Sequence, residues 1–200
     1  MSLESGRRRG SAGARGSYGF TALRRRDLPL LAYWLHGPQV QAWWGRPIRE
    51  LHLIRRNLSN ITVDCFLIRH HGRPIGYLQC YDPAGDPFRT LPVEPRAIRG
   101  IDLFIGTARG RGHGTAALRL AADRLLARRD VRRVITDPDP GNLASLRAFE
   151  KAGFRDAGEL RLPWGPARLL VRGHWSPDDQ IRASDNALKR DDLKPARLQI

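Results

Sequence analysis

The sequence predicts a mixed α/β (α+β) domain, in which about four helices flank a central sheet of six to seven strands. One observation behind this is the segment of residues 100–128, which has the pattern of a short apolar strand, a glycine-rich turn and a helix with an apolar stripe. A second is a pair of segments, residues 62–81 and 154–175, that each have the pattern of a β-hairpin. The 200 residues are enough for one such domain with a substantial core.

The first part of the chain predicts one strand followed by two helices. Residues 18–23 alternate well enough for a strand, and Asp27 is a good N-cap for a helix that ends at a Gly-Pro pair. We expect Trp43 and Trp44 to lie in the loop that follows, where such rings either fill a core or offer a flat surface to a substrate. Residues 47–57 predict the second helix.

The first hairpin is predicted to pair residues 62–69 with residues 74–81. His70 and His71 occupy the turn between these strands, so we expect both to be solvated. The next segment, residues 82–97, holds four prolines and therefore predicts a long loop.

The second half of the chain predicts alternating strands and helices. The central strand and its helix are followed by a strand at residues 131–136 and a helix at residues 143–152. A closing hairpin then pairs residues 154–162 with residues 167–175.

The composition of the chain indicates the limits of the domain and the cellular compartment of the protein. Residues 1–17 are predicted to be a disordered basic leader and residues 176–200 a polar tail, on either side of a domain at residues 18–175. The leader has no apolar signal core, and no run approaches the ~18 apolar residues of a membrane span. Cys65 and Cys80 are too few for a disulfide framework, so we expect two small buried residues in neighbouring strands. We therefore expect a cytoplasmic protein with no membrane partner.

The net charge of +15 raises the question of a nucleic-acid partner. The excess is nearly all arginine, and most of it is spread over the predicted domain. It is accompanied by no aromatic-rich RNA-binding motif and no helix-turn-helix signature. We therefore expect no nucleic-acid partner, and positive charge would also attract phosphate groups of a smaller ligand.

The turn at residues 109–114 predicts an anion cradle. Glycine lets a ligand approach the backbone closely, and a helix start presents unpaired N–H groups at the positive end of its dipole. A Walker loop is excluded because no Lys followed by Ser or Thr stands after the last glycine, and the spacing G-x-G-x-x-G is absent. The spacing that fits is R-x-x-G-x-G, from Arg109 to Gly114, and the anion we expect there is a pyrophosphate.

This turn resembles the acetyl-coenzyme A loop of the GCN5-related N-acetyltransferases (GNAT), and further blocks follow in the order of that superfamily. The blocks are residues 100–115, the strand end Thr136-Asp137-Pro138, and Asn142-x-x-Ser145-x-x-x-Phe149 with the following Gly153-Phe154. Together with residues 74–79 and Trp43-Trp44, they resemble the aminoglycoside 6'-N-acetyltransferases. The resemblance implies the GNAT fold over roughly residues 18–175.

The resemblance implies acetyl-CoA as the co-substrate and no metal. Backbone N–H groups of the central strand would polarise the thioester carbonyl, the turn would hold the pyrophosphate, and Asn142 would bond the pantetheine arm. The residues implied in cofactor binding are Leu103, Phe104, Ile105, Arg109, Gly110, Arg111, Gly112, His113, Gly114, Thr115, Asn142 and Phe149.

The resemblance also implies that Asp102 is the catalytic residue in acetyl transfer to a primary amine. An alkylammonium with a pKa near ~10 must lose a proton before it can attack a carbonyl carbon. Asp102 would take that proton directly or through water, or would fix the amine, and the alternative is an ion pair with arginine. The residues implied in substrate binding are Trp43, Trp44, Tyr81, Asp102, Asp137 and Trp164.

Three positions depart from the family pattern. Phe149 stands where the family often has a Tyr that reprotonates the departing thiolate, and a phenyl ring cannot donate a proton. Trp164 and Ala42 stand where the resembling enzymes have acids, which thins the acidic lining expected for a polycationic sugar.

Several functions therefore stay open. The first is acetylation of the 6'-amine of an aminoglycoside, an antibiotic-resistance activity, by a monomer or homodimer that acts on a cationic small molecule. Enzyme alternatives are N-acylation of a hydroxylysine-type siderophore precursor, for which a His near the position of Asp102 would be expected, and acetylation of a peptide N-terminus. The non-enzyme alternative is a basic nucleic-acid-associated protein, whose affinity for DNA would depend steeply on salt.

Overall fold

A computed structural model describes residues 17–83, 97–107, 110–162 and 165–174. Two predicted site residues, Arg109 and Trp164, lie outside the described residues. So do the leader up to residue 16, most of the proline-rich loop and the tail from residue 175.

Seven strands and five helices make up the described residues. The strands are β1 (Tyr18–Ala22), β2 (Val63–His70), β3 (Arg73–Tyr81), β4 (Ile98–Ile105), β5 (Arg133–Thr136), β6 (Arg155–Leu162) and β7 (Gly165–Gly173). The helices are α1 (Leu28–Leu35), α2 (Pro38–Trp44), α3 (Pro47–Asn57), α4 (His113–Leu126) and α5 (Leu143–Lys151).

The strands follow the order β1-β2-β3-β4-β5-β7-β6 in one mixed sheet. The β4–β5 pair is parallel, and β1–β2, β2–β3, β5–β7 and β6–β7 are antiparallel pairs. The predicted fold class is therefore confirmed, and the strands lie within a few residues of their predicted bounds.

The tryptophan pair lies in a helix, so the loop predicted there is wrong. Pro38 begins α2, since its fixed φ suits the first helical position, and Gly45 follows the last residue. Seven residues are too few to display a clear helical period, which is why the sequence pattern missed this helix. Consecutive helical positions point about 100° apart, so Trp43 and Trp44 face different surroundings.

Asp27 does not cap α1 as predicted. Its backbone has helical angles, whereas an N-cap side chain needs an extended residue in order to reach the next N–H groups. Its Oδ2 instead accepts a hydrogen bond of 2.9 Å from the backbone N–H of Arg24, closing a short 3-10 turn (Arg25–Asp27) that precedes the helix.

The described chain divides into two compact units, and one boundary between them lies within β4, between Ile101 and Asp102. The first contains the residues up to Tyr81 together with Asp102–Arg124, and the second contains Asp82–Ile101 and the residues from Leu125 onward. In the first unit, side chains of α1–α3 and of the sheet form a buried core that includes Leu31, Trp34 and Tyr77.

The second unit has a core of its own. Side chains of β4–β7 fill it, and its fully buried members are Ile135, Ala157 and Leu169. No helix of the described residues is both long and apolar enough to cross a membrane.

The two cysteines are buried on neighbouring strands, as predicted. Cys65 lies on β2 and Cys80 on the antiparallel strand β3, and neither forms a disulfide.

Candidate active site

Asp102 lies on the part of β4 that belongs to the first unit, and only 7% of its surface is exposed. Side chains alternate along a strand, so Asp102 and Phe104 share one face of β4, and Tyr77 and Gln79 share one face of β3. Gln79 is hydrogen-bonded to Asp102, and the ring centroids of Tyr77 and Phe104 lie 5.6 Å apart. The two faces therefore form one continuous surface. Tyr81, half-buried at the end of β3, follows on the same face by this alternation.

A chain of hydrogen bonds leads to the Asp102 carboxylate. Nε2 of Gln79 donates to Oδ2 of Asp102 at 2.8 Å, and the hydroxyl of Tyr77 lies 3.1 Å from Oε1 of Gln79 and 3.2 Å from Sγ of Cys65. The single hydroxyl proton of Tyr77 can be donated to Oε1 of Gln79 or to Sγ of Cys65. The accepting Oε1 faces Tyr77 and the donating Nε2 faces Asp102.

Burial keeps two members of this chain protonated. It raises the pKa of Tyr77 well above its ordinary value of 10, and the neighbouring Cys65 sulfur and Asp102 carboxylate raise it further. Burial also raises the pKa of the Cys65 thiol, which the hydrogen bond from Tyr77 lowers in part. Both groups therefore remain hydrogen-bond donors at neutral pH.

Aromatic rings line the same surface. Trp44 meets the ring of Phe104 edge-on at a centroid distance of 4.9 Å and the ring of Tyr77 at 5.8 Å. Trp43 is 44% exposed. The structure thus brings Trp44 together with the surface that carries Asp102, and leaves Trp43 accessible to solvent.

The predicted anion cradle lies just before α4. Gly110 and Gly112 have φ values of +74° and +77°, which other residues adopt only with strain, and a Cβ on either would meet no atom within 4 Å. The carbonyl of Gly112 accepts from the N–H of Ala116 at 3.1 Å, so the helix takes over at this glycine. Arg111 between them is exposed. The first N–H groups of α4, including those of Gly114 and Thr115, come directly after these two glycines. The surface beside them is therefore open.

His113 begins α4, but its side chain turns into the protein. It is 9% exposed, and its Nδ1 lies 2.7 Å from the hydroxyl of Tyr18 on β1. Its ring also packs 4.7 Å from that of His70. His70 is half-buried and was expected to be a solvated turn residue, so that prediction is wrong, because the turn itself is formed by His71 and Gly72.

The second unit carries the predicted site residues Asn142, Phe149 and Asp137. Oδ1 of Asn142 accepts from the N–H of Ser145 at 3.1 Å and thereby caps α5. Phe149 on α5 is 5% exposed and meets Phe154 edge-on at 5.0 Å. Asp137, the residue after β5, is also buried.

Residues 24–162 match the family model described as an acetyltransferase (GNAT) domain. This chain belongs to the GNAT family. The resemblance drawn from the separated blocks is thereby confirmed at the level of the family.

Similar proteins are known in sequence and in structure. The GNAT domain here is 34% identical over 158 residues to aminoglycoside N(6')-acetyltransferase type 1 of Klebsiella pneumoniae, covering 73% of this chain and 78% of that relative. The solved structure of aminoglycoside acetyltransferase AAC(6')-Ib with coenzyme A and kanamycin matches with a TM-score of 0.70 at 30% identity, over 79% of this chain and 95% of that one. The N-hydroxyputrescine acetyltransferase of Acinetobacter baumannii is 25% identical over 130 residues, covering 63% of this chain and 61% of that relative.

Four residues of this GNAT domain join the site although the sequence did not single them out. They are Gln79, Tyr77, Tyr18 and His70. Gln79 and Tyr77 carry a usable signal, because Tyr77, Gln79 and Tyr81 repeat every second residue along one predicted strand. Tyr18 and His70 carry none, since their contact with His113 joins positions up to 95 residues apart. Within the described ranges, no three His, Cys, Asp or Glu side chains are arranged to hold a metal ion.

Proposed function

We propose that this GNAT domain transfers the acetyl group of acetyl-CoA to the 6'-amine of an aminoglycoside, an activity that would give antibiotic resistance. The observation that carries the proposal is the buried carboxylate of Asp102, held by Gln79 on a strand face that aromatic rings line. The similarity to the Klebsiella pneumoniae enzyme supports it, because that alignment covers 73% of this chain. Asp102 lies within residues 24–162, which match the family model.

The glycine turn fits the diphosphate of coenzyme A. A side chain at Gly110 or Gly112 would occupy the open space beside the turn. With glycine at both positions, that space would be available to a ligand. N–H groups at the start of α4 and the charge of Arg111 would hold an anion there. Acetyl-CoA, when bound, supplies the activated acetyl group as a thioester.

Asp102 would prepare the amine for attack. Near neutral pH an alkylamine is almost wholly protonated, so the site must remove one proton and aim the nitrogen lone pair. A buried carboxylate attracts an ammonium group, and the Gln79 amide fixes the orientation of its two oxygens. Asp102 would then accept the proton either directly or through a water molecule.

Other predicted site residues would have supporting roles. Backbone N–H groups near Phe104 and Ile105 would stabilise negative charge on the carbonyl oxygen. Asn142 caps α5 through its Oδ1, which leaves its Nδ2 group to donate to the pantetheine arm. Phe149 has no proton to give, so the departing thiolate would take its proton from water or from the ammonium product.

The amine substrate would lie along the aromatic surface. Trp43, accessible at the end of α2, and Trp44 offer flat faces to a sugar ring and to its cations. Asp137, and Tyr81 with its hydroxyl, would bind further polar groups of the substrate. We propose a small cationic acceptor, a domain that extends over residues 18–175, and a cytoplasmic location where acetyl-CoA is available.

A second acceptor class has a specific observation in its favour. Ala42 and Trp164 stand where acids would face a substrate with several positive charges, and a relative in Acinetobacter baumannii is named an N-hydroxyputrescine acetyltransferase. A short acceptor with one or two amines needs fewer carboxylates than an aminoglycoside does. Acetylation of a hydroxylated diamine or hydroxylysine is therefore the alternative that a test must include.

A thiol-release assay with acetyl-CoA distinguishes these acceptors. The panel is kanamycin, tobramycin, N-hydroxyputrescine, hydroxylysine and a peptide with a free N-terminus. The proposal predicts the highest kcat/KM with the two aminoglycosides. Thiol release with a hydroxylated amine alone would favour the second class, and release with none of them would contradict both.

A further inference from the structure

The tyrosine–histidine cluster, defined here as Tyr18, His70 and His113, joins three separate elements beside the glycine turn. Tyr18 begins β1, His70 ends β2 and His113 begins α4. The ring centroid of His70 lies 4.7 Å from those of both Tyr18 and His113, and those of Tyr18 and His113 lie 5.8 Å apart. All three residues belong to the first compact unit.

Among the described residues, the ring of His113 is hydrogen-bonded to Tyr18. Burial raises the pKa of Tyr18, so its hydroxyl stays protonated and can donate to Nδ1 of His113 at 2.7 Å. The imidazole proton then sits on Nε2. His71, at the tip of the hairpin, meets the ring of His70 edge-on at a centroid distance of 4.3 Å.

His113 lies between Gly112 and Gly114, at the point where the turn becomes a helix. Gly110 and Gly112 have left-handed backbones, and glycine loses more conformational freedom on ordering than any other residue. The turn is therefore intrinsically pliable. A ligand that needs several N–H groups aimed at one anion binds more tightly when those groups are already fixed. Among the turn residues that the structure describes, His113 is the one whose side chain is buried and hydrogen-bonded.

We propose that His113 is a positioning residue for coenzyme A, which fixes the glycine turn through Tyr18 and His70. The inference rests on the proposed function, since it concerns the site taken there to hold the diphosphate. It assigns to the side chain a role that the turn pattern leaves open, because that pattern places no demand on the residue between its last two glycines. The imidazole acts from within the protein and supports the backbone groups that would contact the ligand.

Three variants separate this role from general stability. Tyr18→Phe removes one hydroxyl and keeps the ring against His70, and His113→Phe removes the acceptor and keeps an aromatic ring. His113→Asn places an acceptor oxygen near the position of Nδ1 and should restore the bond. Tyr33→Phe, at a tyrosine of α1 that is 77% exposed, is the matched control for loss of a hydroxyl.

The measurements are calorimetric Kd values for coenzyme A and steady-state kinetics with kanamycin. Tyr18→Phe and His113→Phe should raise the Kd for coenzyme A and the KM for acetyl-CoA by about threefold to tenfold, the range of one lost hydrogen bond. The kcat at saturating acetyl-CoA and the KM for kanamycin should not change. His113→Asn and Tyr33→Phe should both stay within about twofold of the unaltered protein.

Two results would overturn the inference while the proposed function stands. One is an unchanged Kd for coenzyme A in both Tyr18→Phe and His113→Phe, and the other is an equal rise in KM for both substrates together with a fall in kcat. A failure of the unaltered protein to bind coenzyme A would instead refute the proposed function, and with it the inference.

Discussion

The amide of Gln79 on β3 donates from Nε2 to Oδ2 of Asp102 on β4 at 2.8 Å, so the neighbouring strand orients the buried carboxylate. The amide itself is oriented by Tyr77, whose hydroxyl lies 3.1 Å from Oε1. A hydrogen bond to a charged group contributes about 1.5–3 kcal/mol, roughly twice that of a neutral pair. The orientation of the Asp102 carboxylate therefore depends on a residue of the neighbouring strand that need not touch a substrate.

Replacing Gln79 with Met removes this donor at nearly constant side-chain volume. Since one charge-assisted hydrogen bond is lost, kcat for kanamycin should fall at least about tenfold. The Kd for coenzyme A, measured by calorimetry, is the internal control and should not change. An unaltered kcat would mean that Asp102 does not depend on Gln79 for its orientation.

Replacing Asp102 with Asn removes the proton acceptor but keeps the shape of the side chain. Turnover of an aminoglycoside should fall by about a hundredfold or more, the range of a general base, while coenzyme A binds as before. Asp64→Asn, at an exposed position of β2, is the matched control and should keep full turnover. Near-normal kcat in Asp102→Asn would remove the role assigned to this carboxylate.

Replacing Gly112 with Val should abolish the binding of coenzyme A. The φ of +77° costs a non-glycine residue about 1–2 kcal/mol, and the valine side chain would occupy the space proposed for the diphosphate. Gly165→Val imposes a left-handed residue with open space around it at the β6–β7 hairpin, so it controls for backbone strain. Equal coenzyme A affinities in the two variants would contradict the proposed cradle.

Replacing Gly106 with Ala should destabilise the fold. The added Cβ would lie 2.2 Å from the Trp34 ring, and such overpacking costs about 1–3 kcal/mol. Gly19→Ala, whose Cβ would meet nothing within 4 Å, should change the unfolding free energy by less than about 0.5 kcal/mol. Urea unfolding measures both, and equal stabilities would show that α1 does not pack against this glycine.

The stability of the fold should fall in mild acid because of His70. Partial burial lowers its pKa below the ordinary value of 6.5, and the imidazoles of His71 and His113 lower it further. The unfolded chain therefore binds the proton first. The contribution of His70 is fully present above about pH 6.5 and is lost as the pH falls through its lowered folded-state pKa.

Urea unfolding at pH 7.5 and at pH 5.5 tests this sign. The unfolding free energy of the unaltered protein should decline more steeply toward pH 5.5 than that of His70→Gln, which has no imidazole to protonate. Equal slopes for the two proteins would contradict the lowered pKa.

Most of the fold could be predicted from the sequence because its elements carry strong local patterns. The apolar stripe of α4 extends over many residues, and β2 and β3 are two apolar runs on either side of a glycine-containing turn, so their type and approximate bounds follow from sequence alone. Helix α2 is too short for such a pattern. Asp27 has the right side chain for a cap but lies in a backbone conformation that the sequence does not specify.

Residues of the candidate site could be predicted where a sequence motif contains them. They could not be predicted where their surroundings come from a distant part of the chain. The predicted Asp102 and Trp44 do lie on one surface, because strand alternation and one short helix bring them there. The partial burial of His70 was missed because it depends on the contact with His113 at the start of α4. A turn position favours solvent unless another element covers it, and sequence patterns do not reveal that element.

The most direct test of acetyl transfer to the 6'-amine uses neomycin and paromomycin, which differ only by an amine or a hydroxyl at that position. Each is incubated with acetyl-CoA and the protein, and products are identified by mass and by NMR assignment of the acetylated site. The account predicts a product 6'-N-acetylated on neomycin and no thiol release with paromomycin. Equal acetylation of both compounds, or of neither, would contradict it.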